Sequence, residues 1–143
     1  MSLYSEAFPV EKGDFVTAGE ASAKIKRTLK KLGVNSSVIR RVAVSSYEVE
    51  LNLIIHSLGG QIDFTVTQDD VMLRVTDRGP GIPDIELAMR EGWSTAPEEV
   101  RVMGFGAGMG LPNMKRNADE FSIQSEVGKG TEIVMKFALA PVR

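Results

Sequence analysis

VMGFGAGMGLPNMKR, residues 102–116, places Gly104, Gly106, Gly108 and Gly110 at alternate positions and then turns amphipathic. Glycine loses more backbone freedom on folding than any other residue, so four in so short a stretch need a reason. Two familiar phosphate loops do not supply it. The pattern G-x-x-x-x-G-K-[ST] is absent, because the GKGT at 128–131 lacks the upstream spacing. The dinucleotide fingerprint G-x-G-x-x-G fails as well: its sixth position is Met109 counted from Gly104 and Leu111 counted from Gly106. What remains is glycine-rich backbone running into a helix N-terminus, where free N–H groups and the helix dipole favour an anion. A linker would not continue into a helix carrying Leu111 and Met114 on one side. The stretch reads as a loop that holds phosphates.

The rest of the chain sets the frame for that loop. Its 143 residues, 43% hydrophobic and 25% charged, suit one globular domain over 1–143 with a core of its own. The absence of cysteine removes disulfides and thiolate metal sites and fits a reducing compartment. A formal charge of −2 argues against a nucleic-acid or anionic-membrane surface. No basic leader followed by an apolar run opens the sequence, and no apolar stretch could span a bilayer, so a cytoplasmic protein is expected. The opening MSL carries no weight in this reading.

Periodicity supplies the elements. SEAFPVE suggests a short edge strand. From Asp14 onward Phe15, Ala18, Ile25, Leu29 and Leu32 recur at helical spacing, with Gly33 as the stop. A second helix follows, with Asn35 or Ser36 as N-cap and Gly59 and Gly60 as terminator. Ile62, Phe64 and Val66 then share one face and Val71, Leu73 and Val75 another, joined at QDD, which reads as a hairpin. A short helix over 84–91 precedes a polar stretch. The helix LPNMKRNAD leads into FSIQSEV, a GKG turn and TEIVMKFAL, a second hairpin. Helices covering one face of antiparallel strands make a two-layer α/β sandwich.

Two further groups carry chemistry. Glu48, Asn52 and His56 stand at i, i+4 and i+8 on one face of the second helix, while Val38, Val42, Val49 and Leu53 lie largely on another and Glu50 points elsewhere. Taken alone, the stripe reads as the solvated side of the helix. Its chemical reading is a carboxylate that takes a proton and an amide oxygen that binds a hard cation such as Mg²⁺. His56, the single histidine, makes no zinc site by itself. DRGPGIPD then follows the first hairpin, with Asp77 where the strand stops and Gly79 and Gly81 in the turn. Turn chemistry explains that cluster; so does an aspartate that accepts from a planar amine while the glycines let a flat ring approach.

In order along the chain stand E-x-x-x-N on a helix, D-x-G-x-G after a strand, a polar stretch, G-x-G-x-G-L opening a helix and a late G-T. This series resembles the Bergerat ATP-binding fold shared by DNA gyrase, MutL, the large heat-shock chaperone and sensor histidine kinases. Over nearly its whole length the chain resembles the small anti-sigma-factor serine/threonine kinases. DRGPGIPDIELAMREGWST and NADEFSIQSEVGKGTEI are most similar to RsbT-like switch kinases, although TAPEEVRVM lengthens the segment toward the anti-sigma-factor pattern. No histidine-bearing dimerisation helix accompanies these motifs, which sets the chain apart from sensor histidine kinases.

The resemblance implies a mixed, mostly antiparallel sheet with helices on one face, and it implies roles. Glu48 would be the general base, Asn52 would bind Mg²⁺, and Asp77 would read the adenine amino group of ATP with Thr131 in support. Gly79 and Gly81 would border the base; Gly106, Gly108, Gly110 and Leu111 would wrap the phosphates. Residues 92–109 would form the ATP lid, with Arg101 reaching the γ-phosphate. Thr131 also reads as an ordinary strand residue and Arg101 as a solvated one. The implied activity is phosphoryl transfer from Mg-ATP to a hydroxyl of a small STAS-domain antagonist protein, in a bacterial partner-switching module that regulates a sigma factor or another regulator. The resemblance leaves room for a homodimer and implies neither nucleic acid nor membrane as partner. A binding module that sequesters its partner in an ATP-dependent way, and a plain ATPase, are the alternatives. An intact Glu48 favours transfer, since a binder has no need of a base.

Overall fold

The computed structural model describes residues 2–13, 16–56, 59–79, 89 and 110–139. In chain order these form β1 (Ser2–Val10), α1 (Glu20–Lys31), α2 (Ser36–His56), β2 (Gly60–Thr67), β3 (Asp70–Asp77), α3 (Gly110–Asn117), β4 (Glu120–Glu126) and β5 (Gly130–Ala138). The five strands make one sheet in the order β1-β2-β3-β5-β4. Every described pairing is antiparallel, so the sheet carries none of the mixed character expected of it among these residues. The two-layer α/β arrangement is as expected.

Local sequence explains most boundaries. Asn35 Oδ1 accepts from the Ser37 backbone N–H at 2.8 Å, which makes Asn35 the cap of α2. At the end of α1 the Val34 N–H reaches the Leu29 carbonyl and the Gly33 N–H reaches that of Lys30, both at 3.1 Å. With Gly33 at φ +75°, this is a Schellman stop. The start of α1 departs from expectation. The helix begins at Glu20 rather than near Asp14, behind Gly19 in a left-handed conformation, and its end leaves Leu32 45% exposed. β1 is longer than SEAFPVE and takes in Ser2 and Leu3, so part of the opening MSL belongs to the sheet. Pro9 is tolerated there because β1 is an edge strand. The expected helix at 84–91 lies outside the described residues apart from Met89, which packs against the core.

Register decides where the core sits. Ile62 faces Val75, Phe64 faces Leu73 and Val66 faces Val71, so the two apolar sets of the first hairpin share a single buried face. Ile133, Met135 and Phe137 extend that face across β5. Ile25 and Leu29 of α1, Val42, Val49 and Leu53 of α2, and Met114 of α3 cover it, each at most 1% exposed. The opposite sheet face is polar and pairs its own charges across strands, Arg74 with Glu132 at 3.0 Å and Lys136 with Glu120 at 3.8 Å.

Candidate functional site

β3 ends at Asp77, whose Oδ1 accepts the Thr131 backbone N–H at 2.8 Å. The antiparallel β3–β5 register, with Thr76 opposite Glu132, brings the start of β5 to this point. Gly130 lets it come so close. It sits at φ +133°, and a Cβ there would stand 2.3 Å from the Asp77 carbonyl oxygen and 3.0 Å from Oδ1. Thr131 thus supports Asp77 through its backbone, while its hydroxyl lies 2.8 Å from Ser125 Oγ. Burial pushes the Asp77 carboxyl above the ordinary carboxylate range, against the downward pull of the Thr131 hydrogen bond.

Gly60 joins α2 to the same place. It pairs with Asp77 across β2 and β3. A Cβ on Gly60 would lie 2.8 Å from Leu53 Cδ2 and 2.9 Å from Asp77 Cα. The second half of α2 is therefore pressed, through Leu53, onto the strand end that carries Asp77. Asn52 and Glu48, one turn apart, are partly buried on α2, while Val38, Val42, Val49 and Leu53 enter the core. Burial raises the Glu48 carboxyl, and a hydrogen bond from the Asn113 side chain partly offsets the rise. The backbone of His56 ends α2, and its side chain lies outside the described residues.

α3 closes the other side. Pro112 falls in its first turn, where a missing N–H costs no helical hydrogen bond. Leu111 and Met114 are buried in the core, so Leu111 has only its backbone to offer a ligand. Gly110 opens the helix and Gly79 follows β3. Gly81, Arg101, Gly106, Gly108 and the expected lid at 92–109 lie outside the described residues.

Two residues escaped the sequence reading. Glu50, 3% exposed, accepts the backbone N–H groups of Ala21 and Ser22 at 3.2 Å each and so caps α1 from the neighbouring helix. Asn113 sits inside the quoted glycine stretch and partly offsets the rise of the Glu48 carboxyl. A polar residue one position from a buried Met114 was its only local signal.

A family model for histidine kinase-, DNA gyrase B- and HSP90-like ATPases matches residues 24–141. The chain belongs to that family and is an ATP-binding enzyme of the kinase type. It is 35% identical over 112 residues to the serine/threonine-protein kinase RsbT of Bacillus subtilis, across 76% of this chain and 78% of that one. It is 39% identical over 97 residues to an anti-sigma F factor of Geobacillus stearothermophilus, across 64% and 63%. To the anti-sigma F factor of Clostridium acetobutylicum it is 37% identical over 106 residues, 69% of each chain. The match spans just under two thirds of the Geobacillus protein.

The residues present fit ATP with a magnesium ion. Asp77 is half-buried, with Oδ1 engaged by the Thr131 N–H and Oδ2 taking no hydrogen bond from the described residues. Asn52 offers an amide oxygen, a hard ligand of the kind Mg²⁺ takes alongside phosphate oxygens and water. No cluster of three His, Cys, Asp or Glu able to hold a metal by itself occurs among the described residues. None of their helices is long and apolar enough to cross a membrane.

Proposed function

We propose that this chain is a Mg-ATP-dependent serine/threonine kinase of a bacterial partner-switching module, phosphorylating a hydroxyl on a small STAS-domain antagonist. The observation that carries the reading is Glu48: a partly buried carboxylate, raised by that burial, one helical turn from Asn52 and beside the first turn of α3. When bound, Mg-ATP would supply the transferable γ-phosphoryl group and the neutralisation of its charge. Glu48 accepts the proton of the attacking hydroxyl. Asn52 would hold the ion through its side-chain oxygen. Asp77 would accept from the adenine amino group, and the N–H groups opening α3 would offer donors to the phosphates. The added charge of roughly −2 on the antagonist would release a bound partner.

Similarity to anti-sigma F factors supports a second reading, in which ATP orders a surface that sequesters a sigma factor without phosphoryl transfer. Glu48→Gln separates the two. It keeps size and hydrogen-bonding reach but removes the proton acceptor, so transfer from labelled ATP to a cognate STAS protein should fall roughly 10²–10⁴-fold while ATP binding persists. If the wild type transfers no phosphate yet binds such a partner tightly in an ATP-dependent way, the binding module replaces the kinase.

A further inference from the structure

The row of residues that crosses the end of the sheet at Asp77 continues past Thr131. Gly60 pairs with Asp77, the Thr131 backbone N–H donates to Asp77 Oδ1, and Thr131 pairs with Ser125 of β4. Alternation along the strands puts Asp77, Thr131 and Ser125 on the inner face, each two residues from Val75, Ile133 or Ile123 of the core. Where the rest of that face is apolar, this row carries a carboxylate and two hydroxyls. Ser125 Oγ lies 2.8 Å from Thr131 Oγ1 and 3.2 Å from the Gly130 carbonyl oxygen. A serine hydroxyl has a single proton, and a carbonyl only accepts. Both contacts are hydrogen bonds only if Ser125 donates to Gly130 and Thr131 donates to Ser125. The Thr131 proton is then committed inside the protein, and Thr131 Oγ1 has only lone pairs to offer a ligand.

We propose that Ser125 is a positioning residue that sets purine selectivity: it fixes the polarity of the Thr131 hydroxyl, so that Thr131 and Asp77 present acceptors side by side. The inference rests on the placement of the adenine amino group at Asp77, and it goes beyond it by giving base selection to a residue of β4. A 6-amino group donates to such a pair. A 6-oxo group, as in hypoxanthine or guanine, sets an acceptor against two acceptors and leaves all three without a partner. Sites built to hydrogen-bond a ligand group reject the analogue lacking it far more strongly than sites that fit shape alone. An unheld Thr131 hydroxyl would blunt this selection, because it could turn its proton toward whichever group arrived.

The test measures Kd for ATP and for ITP, whose 6-oxo group accepts where the 6-amino group donates, on the full chain with Mg²⁺ by titration calorimetry. Wild type should bind ATP more tightly. In Ser125→Ala the ratio of the two constants should shrink roughly 2- to 10-fold, about what one net hydrogen bond contributes. Loosening of the β4–β5 hairpin alone would weaken both nucleotides together and leave that ratio unmoved. Ser125→Thr keeps a hydroxyl at a strand position that suits a β-branched residue, and it should restore the ratio. Thr131→Val removes the hydroxyl under control but keeps the backbone N–H on Asp77; in that background Ser125→Ala should not change the ratio further. A wild-type ratio in Ser125→Ala, or an equal change with and without the Thr131 hydroxyl, overturns the role of Ser125 and leaves the adenine placement standing. A wild type that binds ITP as tightly as ATP overturns both.

Discussion

The Thr131 backbone N–H donates to Asp77 Oδ1 at 2.8 Å, and this bond decides which oxygen of the carboxylate is left for a ligand. Because the donor is backbone, no side-chain change at residue 131 short of proline removes it. It also fixes what an amide would do in the same place.

In Asp77→Asn the Thr131 N–H keeps the carbonyl oxygen on its own side, so the NH₂ group must face the adenine amine. Two donors then meet, a mismatch of about 1–3 kcal/mol, or roughly five- to hundredfold in ATP affinity by titration calorimetry. The fold should not suffer. Burial raises the native Asp77 carboxyl, so the native state holds its proton more tightly than the unfolded chain. Ionised Asp77 therefore costs stability as pH rises from the ordinary carboxylate range through the raised native value. Thermal unfolding without nucleotide should show the variant as stable as wild type, or slightly more so, at neutral pH. Unchanged ATP affinity would reduce DRGPG to a turn.

The raised Glu48 carboxyl predicts where the acid limb of the reaction falls. The ionised form is the base, so transfer should rise with pH and level off above the native value, with its midpoint above the ordinary carboxylate range. The kcat/KM for phosphate transfer at limiting Mg-ATP, which reports the ionisations of the free enzyme, measured from about pH 4 to 8, checks it. A midpoint within the ordinary range would mean that the carboxylate is not held in a desolvated place.

Gly130→Ala should damage fold and site together. The residue sits at φ +133° with no room beside the Asp77 carbonyl, so the loss should be roughly 2–4 kcal/mol in urea unfolding. ATP affinity should fall even under conditions where the variant is folded, since relief of the clash has to move Asp77. Gly128→Ala, where nothing lies within 4 Å of the added carbon although φ is +83°, is the control that carries backbone strain alone.

Glu50→Ala leaves two N–H groups at the start of α1 without their acceptor, and about 1–3 kcal/mol should go with them. Glu50→Gln retains one acceptor and should lose less. Hydrogen exchange at Ala21 and Ser22 should quicken in both variants more than at Ile62 or Leu73 in the central strands.

The hairpins and α2 were legible because their signals are local. Period-two alternation fixed the buried face of β2 and β3, and Asn35 fixed the start of α2 within a few residues of sequence. The start of α1 was not, because Phe15 and Ala18 keep helical spacing up to Gly19, whose left-handed backbone precedes the first helical turn. The full length of β1 was missed because the opening MSL carried no weight, which left Ser2, Leu3 and Tyr4 outside the strand. In the candidate site, Glu48, Asn52 and Asp77 stood out by spacing and by resemblance. Glu50 did not, since the helix it caps lies 28 and 29 residues away. Nor did Asn113, whose influence on the Glu48 carboxyl needs α3 to lie against α2.

The strand order β1-β2-β3-β5-β4 has a consequence for how this chain can vary. Both tight hairpins, β2 to β3 and β4 to β5, set their registers within themselves, and Asp77 with Thr131 locks β3 to β5. The segment between Asp77 and Gly110 contributes no strand to this sheet among the described residues, and the far end of α3 is fastened independently by Arg41. All four described strand pairings are closed by residues 2–77 and 120–138 alone, so the register of the sheet does not depend on how many residues connect Arg78 to Gly110.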